Sequence, residues 1–369
     1  MITLFPRSRA LRALMATTTG VAVLLPSGAM TPFAQASTGK ASAGTLTIGI
    51  NSALETWDPS LNESTLPRFW LLQPVYDTLT REAVNGKYIP DLATHWTRPN
   101  PKTFVMTLRT GVKFQDGTPF NAAAVKANLD HARTDNGNEH ALLGNIANVT
   151  VVNAKTVRLN LSAPDPDLEA TFARYDVGAM VSPKAIANAT ALAQTPDGTG
   201  PYTLNSAQTV KTDHFTFTRK TSYWGGFSAF PYKTIVVKVI PDSTSLLNAA
   251  ITGQVDVDTS DYPTGGDNNL VAQAQRGDLN LLKTPPNSIN EIGLLDRVGK
   301  IVPALKDVRV RQALNYAIDR KAVLKPYFQG YGVPISNILA PTARGYDKAM
   351  DNYYAYNPTK AKALLKAAG

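Results

Sequence analysis

The chain has 369 residues, of which 43% are hydrophobic and 18% are charged, and it contains no cysteine. This composition is typical of globular protein, and the length allows two or three domains. The lack of cysteine excludes disulfides, thiolate metal sites and cysteine nucleophiles. The net charge of +9 comes from scattered lysines and arginines that form no basic stripe, which argues against nucleic acid as a partner.

Residues 1–36 have the three parts of an export signal. Three arginines lie within the first twelve residues, an apolar run follows at 13–25, and Ala34-Gln35-Ala36 matches the usual cleavage pattern. The apolar run is too short to span a membrane. Because no cysteine is available for lipid attachment, we expect a soluble, unanchored protein in the periplasm.

The first half of the remaining chain predicts strands and helices in irregular alternation. Residues 45–50 and 103–114 predict strands, and Asp116-Gly117 predicts the turn that ends the second of them. The stretch at 68–82 predicts a helix broken near Pro74, and 89–96 predicts a short helix after a turn at Asn85-Gly86.

The second half continues the mixture. We predict a helix at 118–133 capped by Thr118 or Asn121, and a hairpin at 149–164. Strands are predicted at 215–220 and 234–240. A helix at 245–256 is stopped by Gly253, and one further helix at 308–324 lies between Asp307 and Gly330. Since the elements do not follow a strict β-α-β order, the fold class is mixed α and β.

No catalytic signature is complete. The chain has no GxSxG motif, and the glycines of "GTGPY" at 198–202 lack the third glycine of a dinucleotide loop. The four histidines lie in separate segments without metal-ligand spacing; they are His95, His131, His140 and His214. The acid pairs Asp165/Asp167 and Asp256/Asp258 are interpreted as solvated loop acids. We therefore predict no catalytic residue, metal or cofactor, and keep a secreted hydrolase only as an alternative.

Eight segments, in order along residues 45–369, carry a family resemblance: "VYDTLTRE", "IPDLATHW", "LRTGVKFQDGTPF", "GTGPYTL", "YW" at 223–224, "VIPDSTSLLNAAITGQVDV", "DVRVRQALNYAIDRKAV" and "YNPTKAKALLKAAG". Together they resemble the extracellular solute-binding proteins of family 5, which serve ABC importers of dipeptides, oligopeptides and nickel. The resemblance implies a type II periplasmic-binding fold with two lobes, hinge strands and an extra small domain.

The implied domains are a leader at 1–36, a first lobe at 44–84 and 186–285, a small domain at 85–185 and the first part of a second lobe at 286–369. The resemblance also implies that "LRTGVKFQDGTPF" is scaffold, which places the following helix in the small domain away from the ligand. The protein is expected to be a monomer that closes around a ligand and delivers it to an ABC permease in the inner membrane.

The resemblance places ligand contacts in three segments. The expected residues are Ser52, Glu55, Thr56 and Trp57 after the first strand, Arg174 and Tyr175 before the second crossing, and Asn287 and Asn290 in the second lobe. Trp57 either stacks on the ligand or packs beside the Asp-Pro turn.

The resemblance further implies that family members continue beyond the helix at 358–369, so we expect a fragment or a truncated gene product. A di- or oligopeptide is the first choice of ligand. Nickel or another metal chelate, glutathione, an opine and a sugar remain alternatives on the same fold, and a sensor that presents its ligand to a membrane receptor is an alternative role.

Overall fold

A computed structural model describes residues 2–6, 44–62, 68–83, 85–134, 137, 139–259, 274, 276–277, 279–283, 289–328, 330, 332–341, 343 and 345–369. The mixed α/β class is confirmed. The strands are β1 Ile2–Pro6, β2 Thr45–Ile50, β3 Thr80–Glu82, β4 Tyr88–Pro90, β5 Ala93–Asn100, β6 Thr103–Leu108, β7 Ile146–Asn153, β8 Thr156–Leu161, β9 Tyr202–Leu204, β10 His214–Arg219, β11 Thr234–Val239, β12 Val257–Asp258 and β13 Leu279–Lys283. The helices are α1 Arg68–Leu72, α2 Ala122–Thr134, α3 Leu168–Arg174, α4 Pro183–Ile186, α5 Ala189–Leu192, α6 Ser243–Ile251, α7 Val308–Ala317, α8 Arg320–Phe328 and α9 Pro358–Ala368.

The larger sheet has seven strands in the order β13-β1-β12-β2-β11-β10-β9. β2 runs parallel to both β11 and β12, whereas β10 is antiparallel to β9 and β11. Alternate side chains of these strands enter one core, where Ile48, Phe217 and Val237 are buried. Six of its seven strands come from the two separated segments, 44–84 and 186–285, that are predicted to form one lobe.

The strand β1 lies between β12 and β13 in this sheet. It pairs antiparallel with β13 over Ile2 to Pro6 and meets β12 at Leu4. These residues fall within the predicted leader at 1–36. The pairing of β1 with its neighbouring strands does not test whether this leader is cleaved. The leader stays a prediction.

The smaller sheet has the order β5-β6-β8-β7 and is antiparallel throughout. The helix α2 packs against β7 and β8, and α3 packs against the short hairpin of β3 and β4. Phe104, Leu129 and Phe172 are fully buried in the core between them. The core therefore holds both helices on the sheet as one small domain.

Two crossings join the small domain to the lobe. Tyr76 belongs to the lobe core and Leu79 to the small-domain core; on the return, Met180 belongs to the small domain and Val181 to the lobe. The buried side chains thus change cores several residues before the predicted boundaries at 84/85 and 185/186. The domain division itself stays a prediction.

Most predicted elements are confirmed, and three are wrong in part. The predicted helix at 89–96 is strand, because Ala93–Asn100 pairs with β6. The predicted long helix at 68–82 ends at Leu72, and Thr80–Glu82 is a strand. The single helix expected at 308–324 is two helices, since it is interrupted between Ala317 and Arg320.

The capping and turn predictions agree more closely with the structure than these element boundaries do. Asn121, and not Thr118, caps α2, because its Oδ1 accepts from the Ala124 N–H at 3.0 Å. Gly117 has a φ of 84°, which only glycine adopts readily, and so supports the predicted turn. Asp307 accepts from the Arg309 N–H at 2.8 Å and begins α7.

The part from 289 onward contains α7 packed against α9, with Ala313 and Ala361 buried between neighbours. Several apolar side chains of this part are exposed, including Leu295 at 94% and Ile301 at 85%. Burial of such side chains normally stabilises a fold, so these exposed side chains contribute little to the stability of this part. Among the described helices, none is long and apolar enough to cross a membrane.

Candidate functional site

Residues 51–57, called the binding loop after their predicted role, directly follow β2, the central strand of the lobe sheet. Ser52 and Glu55 expose their side chains, whereas Thr56 is half-buried. The Thr56 Oγ1 accepts from the Asp58 N–H at 3.1 Å, so this hydroxyl stabilises the end of the loop. Of the predicted residues in this loop, Ser52 and Glu55 are therefore the exposed ones.

Trp57 lies in the lobe core with only 2% of its surface exposed. Its ring meets Phe215 and Phe217 edge to face, at centroid distances of 5.7 and 6.1 Å. The buried Tyr76 hydroxyl donates to the Trp57 carbonyl at 2.8 Å. This geometry favours the packing interpretation of Trp57, which anchors the loop, and its contact with a ligand stays a prediction.

Asp58 ties the loop to the small domain. Its Oδ1 accepts from the N–H of Ser60 at 3.1 Å and from the Ser60 hydroxyl at 2.7 Å, and its Oδ2 lies 2.8 Å from Nε2 of His131 on α2. Burial alone would raise the pKa of Asp58, but the hydrogen bonds from His131 and Ser60 outweigh burial and lower it. Asp58 therefore remains a carboxylate.

Residues that directly follow two of the three predicted segments meet here, although none of the predicted ligand residues lines the cavity. A cavity of about 10 Å³ is lined by residues after the binding loop, by α2 and by residues just after Tyr175; its lining includes Asp58, Ser60, Asn128, His131 and Asp176. Small-molecule sites measure about 300 to 1,000 Å³. The cavity is thus a junction between segments and too small to be the ligand site by itself.

Arg174 and Tyr175 differ in their availability. The Arg174 guanidinium forms two hydrogen bonds of 2.6 Å with both carboxylate oxygens of Glu82, and it stacks over Tyr88. Tyr175 is 39% exposed beside the junction. Arg174 is consequently engaged in a bidentate ion pair, while Tyr175 is partly exposed. The role of both residues in binding stays a prediction.

The third predicted segment does not join this junction through any contact found among the described residues. Asn290 is exposed, and Asn287 lies outside the described residues. In the described part of the chain, no group of three or more His, Asp or Glu side chains is arranged to hold a metal ion.

A buried acidic network at the first crossing was missed by the sequence reasoning. Asp77 accepts hydrogen bonds from the Tyr223 hydroxyl, the Trp224 indole N–H and the Thr199 hydroxyl, at 2.7, 2.7 and 2.8 Å. These residues belong to the segments "VYDTLTRE", "YW" and "GTGPYTL". The joint occurrence of these segments in one sequence was the signal that could have indicated the network.

Two further carboxyl groups near this network have raised pKa values. Burial, and then the negative charge of Asp77, raise the pKa of Asp91 to about 7. Burial, and then the charge of Asp116, raise the pKa of Asp197 to about 6. Perturbed carboxyl groups often mark functional sites but also occur in structural networks, and the donors around Asp77 indicate a structural role.

A wider concavity of about 500 Å³ lies on the small domain, lined by the "LRTGVKFQDGTPFN" segment and by 153–155. Its one partly buried cation, Arg109, already donates to the Asp91 carbonyl at 3.2 Å and stacks over Trp224 at 4.3 Å. This arrangement agrees with the scaffold role expected for the segment.

Residues 87–369 match the family described as bacterial extracellular solute-binding proteins, family 5 Middle. The chain is 31% identical over 324 residues to the dipeptide-binding protein of Escherichia coli (strain K12), which covers 80% of this chain and 58% of that protein. It is 33% identical over 274 residues to the glutathione-binding protein GsiB of Salmonella typhimurium, which covers 72% of this chain and 50% of the relative.

Among solved structures, AgaA of A. tumefaciens R10 in complex with agropinic acid has a TM-score of 0.68 and 26% identity, over 88% of this chain and 64% of that one. The chain thus spans between 50 and 58% of the length of these two curated relatives.

Proposed function

Because the chain belongs to the bacterial extracellular solute-binding proteins of family 5, we propose that it acts as the periplasmic substrate-binding component of an ABC importer. In this proposal the protein captures a small solute, most simply a di- or oligopeptide, and delivers it to a membrane permease. Its fold is that of the type II periplasmic binding proteins. We propose binding alone, with no covalent step.

The observation that carries this proposal is the contrast within the binding loop. Trp57 and the following residue Asp58 are held by the lobe core and by α2, while Ser52 and Glu55 earlier in the loop stay exposed. A loop that is already held in place loses little conformational entropy when its exposed polar side chains bind a ligand. Contacts of one solute with this loop and with a second lobe would favour the closed arrangement.

Glu55 suggests the chemical class of the solute. It is the single charged residue of the loop at 51–57, and its side chain is exposed. A carboxylate forms its strongest hydrogen bonds with cationic donors such as an ammonium group. The amino terminus of a peptide supplies such a group, and the name of the Escherichia coli relative supports this class.

Glutathione is the second candidate, because a curated relative is named for it. Glutathione also carries an ammonium group, so Glu55 alone does not separate the two ligands. An opine or a metal chelate is a further alternative on this fold, as the agropinic acid complex of AgaA illustrates.

The test is calorimetric titration of the 369-residue chain with Ala-Ala, N-acetyl-Ala-Ala and reduced glutathione. We expect Ala-Ala to bind, N-acetyl-Ala-Ala to bind at least tenfold more weakly because it lacks the ammonium group, and Glu55→Gln to reduce this difference. Asp167→Asn, which removes the charge of an exposed acid on the small domain, is the control.

Equal binding of the two peptides would refute the Glu55 contact, and binding of glutathione alone would replace peptide as the ligand class. Release of free alanine from Ala-Ala would favour the hydrolase alternative. If none of the probes binds, the same titration with a longer gene product from the same locus tests whether residues beyond this sequence are required.

A further inference from the structure

We propose that His131, on helix α2 of the small domain, is a positioning residue for the binding loop and adjusts the order of that loop with pH. The inference rests on the proposed function, since it assumes that residues 51–57 meet the solute. It also departs from the expectation that α2 lies away from the ligand. The small domain would then take part in binding through this one contact.

The contact joins elements far apart in the chain. Nε2 of His131 lies 2.8 Å from Oδ2 of Asp58, and Asp58 is only 3% exposed. Asp58 directly follows the binding loop, and its backbone N–H donates to the Thr56 hydroxyl within it. A movement of His131 is therefore transmitted to the loop through one carboxylate.

Trp57, the last residue of the binding loop, is fixed independently by the lobe. The Tyr76 hydroxyl holds the Trp57 carbonyl at 2.8 Å, and the Trp57 ring is packed against Phe215 and Phe217. Loss of the His131 contact would thus release the Asp58 side of the loop while Trp57 stays in the core. The expected effect is local.

The helix that carries His131 is firmly seated. The buried Asn128 side chain, one turn earlier on α2, donates to the Val181 carbonyl and accepts from the Val181 N–H, both at 2.8 Å. Val181 lies at the second crossing between the small domain and the lobe. The helix α2 is therefore held at the second crossing, so its histidine has a defined position relative to the loop.

The charges around His131 are mainly acidic. Asp58 contacts it, Asp176 lines the same cavity, and Glu139 accepts from the Val177 N–H next to Asp176. On α2 itself, Asp130 pairs with Lys126 and Arg133. A hydrogen bond from a protonated imidazole to a carboxylate is charge-assisted and stronger than a neutral one. The contact should therefore be stronger, and the loop better ordered, at a pH where the imidazole is protonated.

The experiment is hydrogen exchange of the backbone amides of 51–58 in the full chain without ligand, for wild type, His131→Gln and Asp58→Asn. After correction for intrinsic rates, we expect wild-type exchange in this segment to rise between pH 5.5 and 8. At pH 5.5 we expect His131→Gln to exchange about tenfold faster than wild type there and to show a flat pH profile. His214→Gln is the control, because it removes another histidine bonded to an aspartate, Asp213 at 2.5 Å, outside this junction.

Asp58→Asn keeps an oxygen that can cap the following turn but removes the charge, so it should reproduce the effect even if His131→Gln fails to fold. An unchanged exchange rate at 51–58 in both variants, or an equal increase throughout the chain, would overturn the proposal. Because no ligand is present, this result is independent of the titration with Ala-Ala. If Ala-Ala binds wild type, we expect a several-fold loss of affinity in His131→Gln at pH 5.5 and none in His214→Gln.

Discussion

The carboxylate of Asp77 accepts a hydrogen bond of 2.7 Å from the indole N–H of Trp224, which lies 147 residues later in the chain. The same carboxylate accepts from Tyr223 and Thr199. Asp77 is 7% exposed and sits where the chain passes from the lobe to the small domain. Three donors from later segments therefore satisfy one buried acid at the first crossing.

Removal of one donor from this network should destabilise the fold. Tyr223→Phe deletes the hydroxyl that donates to Asp77 Oδ1 at 2.7 Å, and loss of a buried hydrogen bond to a charged group costs about 1.5 to 3 kcal/mol of unfolding free energy. Urea unfolding followed by circular dichroism measures the change. Tyr232→Phe is the control, because that side chain is 38% exposed. Equal stability of the two variants would contradict a structural role for the Asp77 network.

Stability should also fall as pH rises from about 4 to about 7. Burial and the charge of Asp77 raise the pKa of Asp91 to about 7 from an ordinary value of 3.8. Between these pH values the folded protein retains a proton that the unfolded chain has lost, so the contribution of Asp91 is complete below the unfolded pKa and disappears as pH passes the folded pKa. One such group gives a slope of at most about 1.4 kcal/mol per pH unit.

The measurement is urea unfolding at several pH values for wild type and Asp91→Asn. The free energy of unfolding of the variant should decline less with rising pH. At pH 8, where wild-type Asp91 is ionised, the variant should be more stable than wild type. Glu291→Gln, which changes an exposed acid, should leave the decline intact. Parallel pH profiles for wild type and Asp91→Asn would show that Asp91 is not the responsible group.

Truncation of Trp57 should affect stability before it affects binding. The side chain is 2% exposed and touches two phenylalanine rings, and replacement of a buried tryptophan by alanine costs about 3 to 5 kcal/mol. Trp57→Ala should therefore lower the urea midpoint strongly. Tyr353→Ala, at a side chain that is 58% exposed, should change it little. A stable Trp57→Ala protein would restore the alternative in which this ring serves a ligand.

Gly198 should not tolerate a methyl group. A Cβ atom at this position would lie 2.1 Å from the Val75 carbonyl oxygen and 2.4 Å from the Tyr76 ring. Because the first contact is with backbone, Gly198→Ala must displace the chain at the crossing, and we expect a loss of about 1 to 3 kcal/mol. Gly293→Ala is the matched control, since its Cβ would meet Leu295 at an ordinary 3.4 Å. Thermal unfolding of both variants checks the difference.

Local patterns in the sequence were sufficient for most elements. The alternation in residues 45–50 and around Asn153–Lys155 predicted β2 and the β7–β8 hairpin, because one face of each strand enters a core. The prediction failed at 89–96, where pairing with β6 determines a strand although no clear alternation is present.

The candidate site was only partly predictable. Ser52 and Glu55 are exposed in the loop where they were expected, but the sequence did not separate Arg174, which is paired with Glu82, from its exposed neighbour Tyr175. Asn287 lies outside the described residues. Pairing partners far away in the chain decide whether a polar side chain is available, and one sequence does not specify them.

The sequence by itself determined the composition class, the absence of thiol chemistry, the family segments and the order of most strands and helices, because these depend on residue type and short-range spacing. The tertiary structure alone decided that Asp77 collects three donors, that Trp57 is a core residue and that His131 meets Asp58, 73 positions earlier. Such contacts form only when distant segments pack together, since burial and hydrogen-bond satisfaction are properties of the assembled chain.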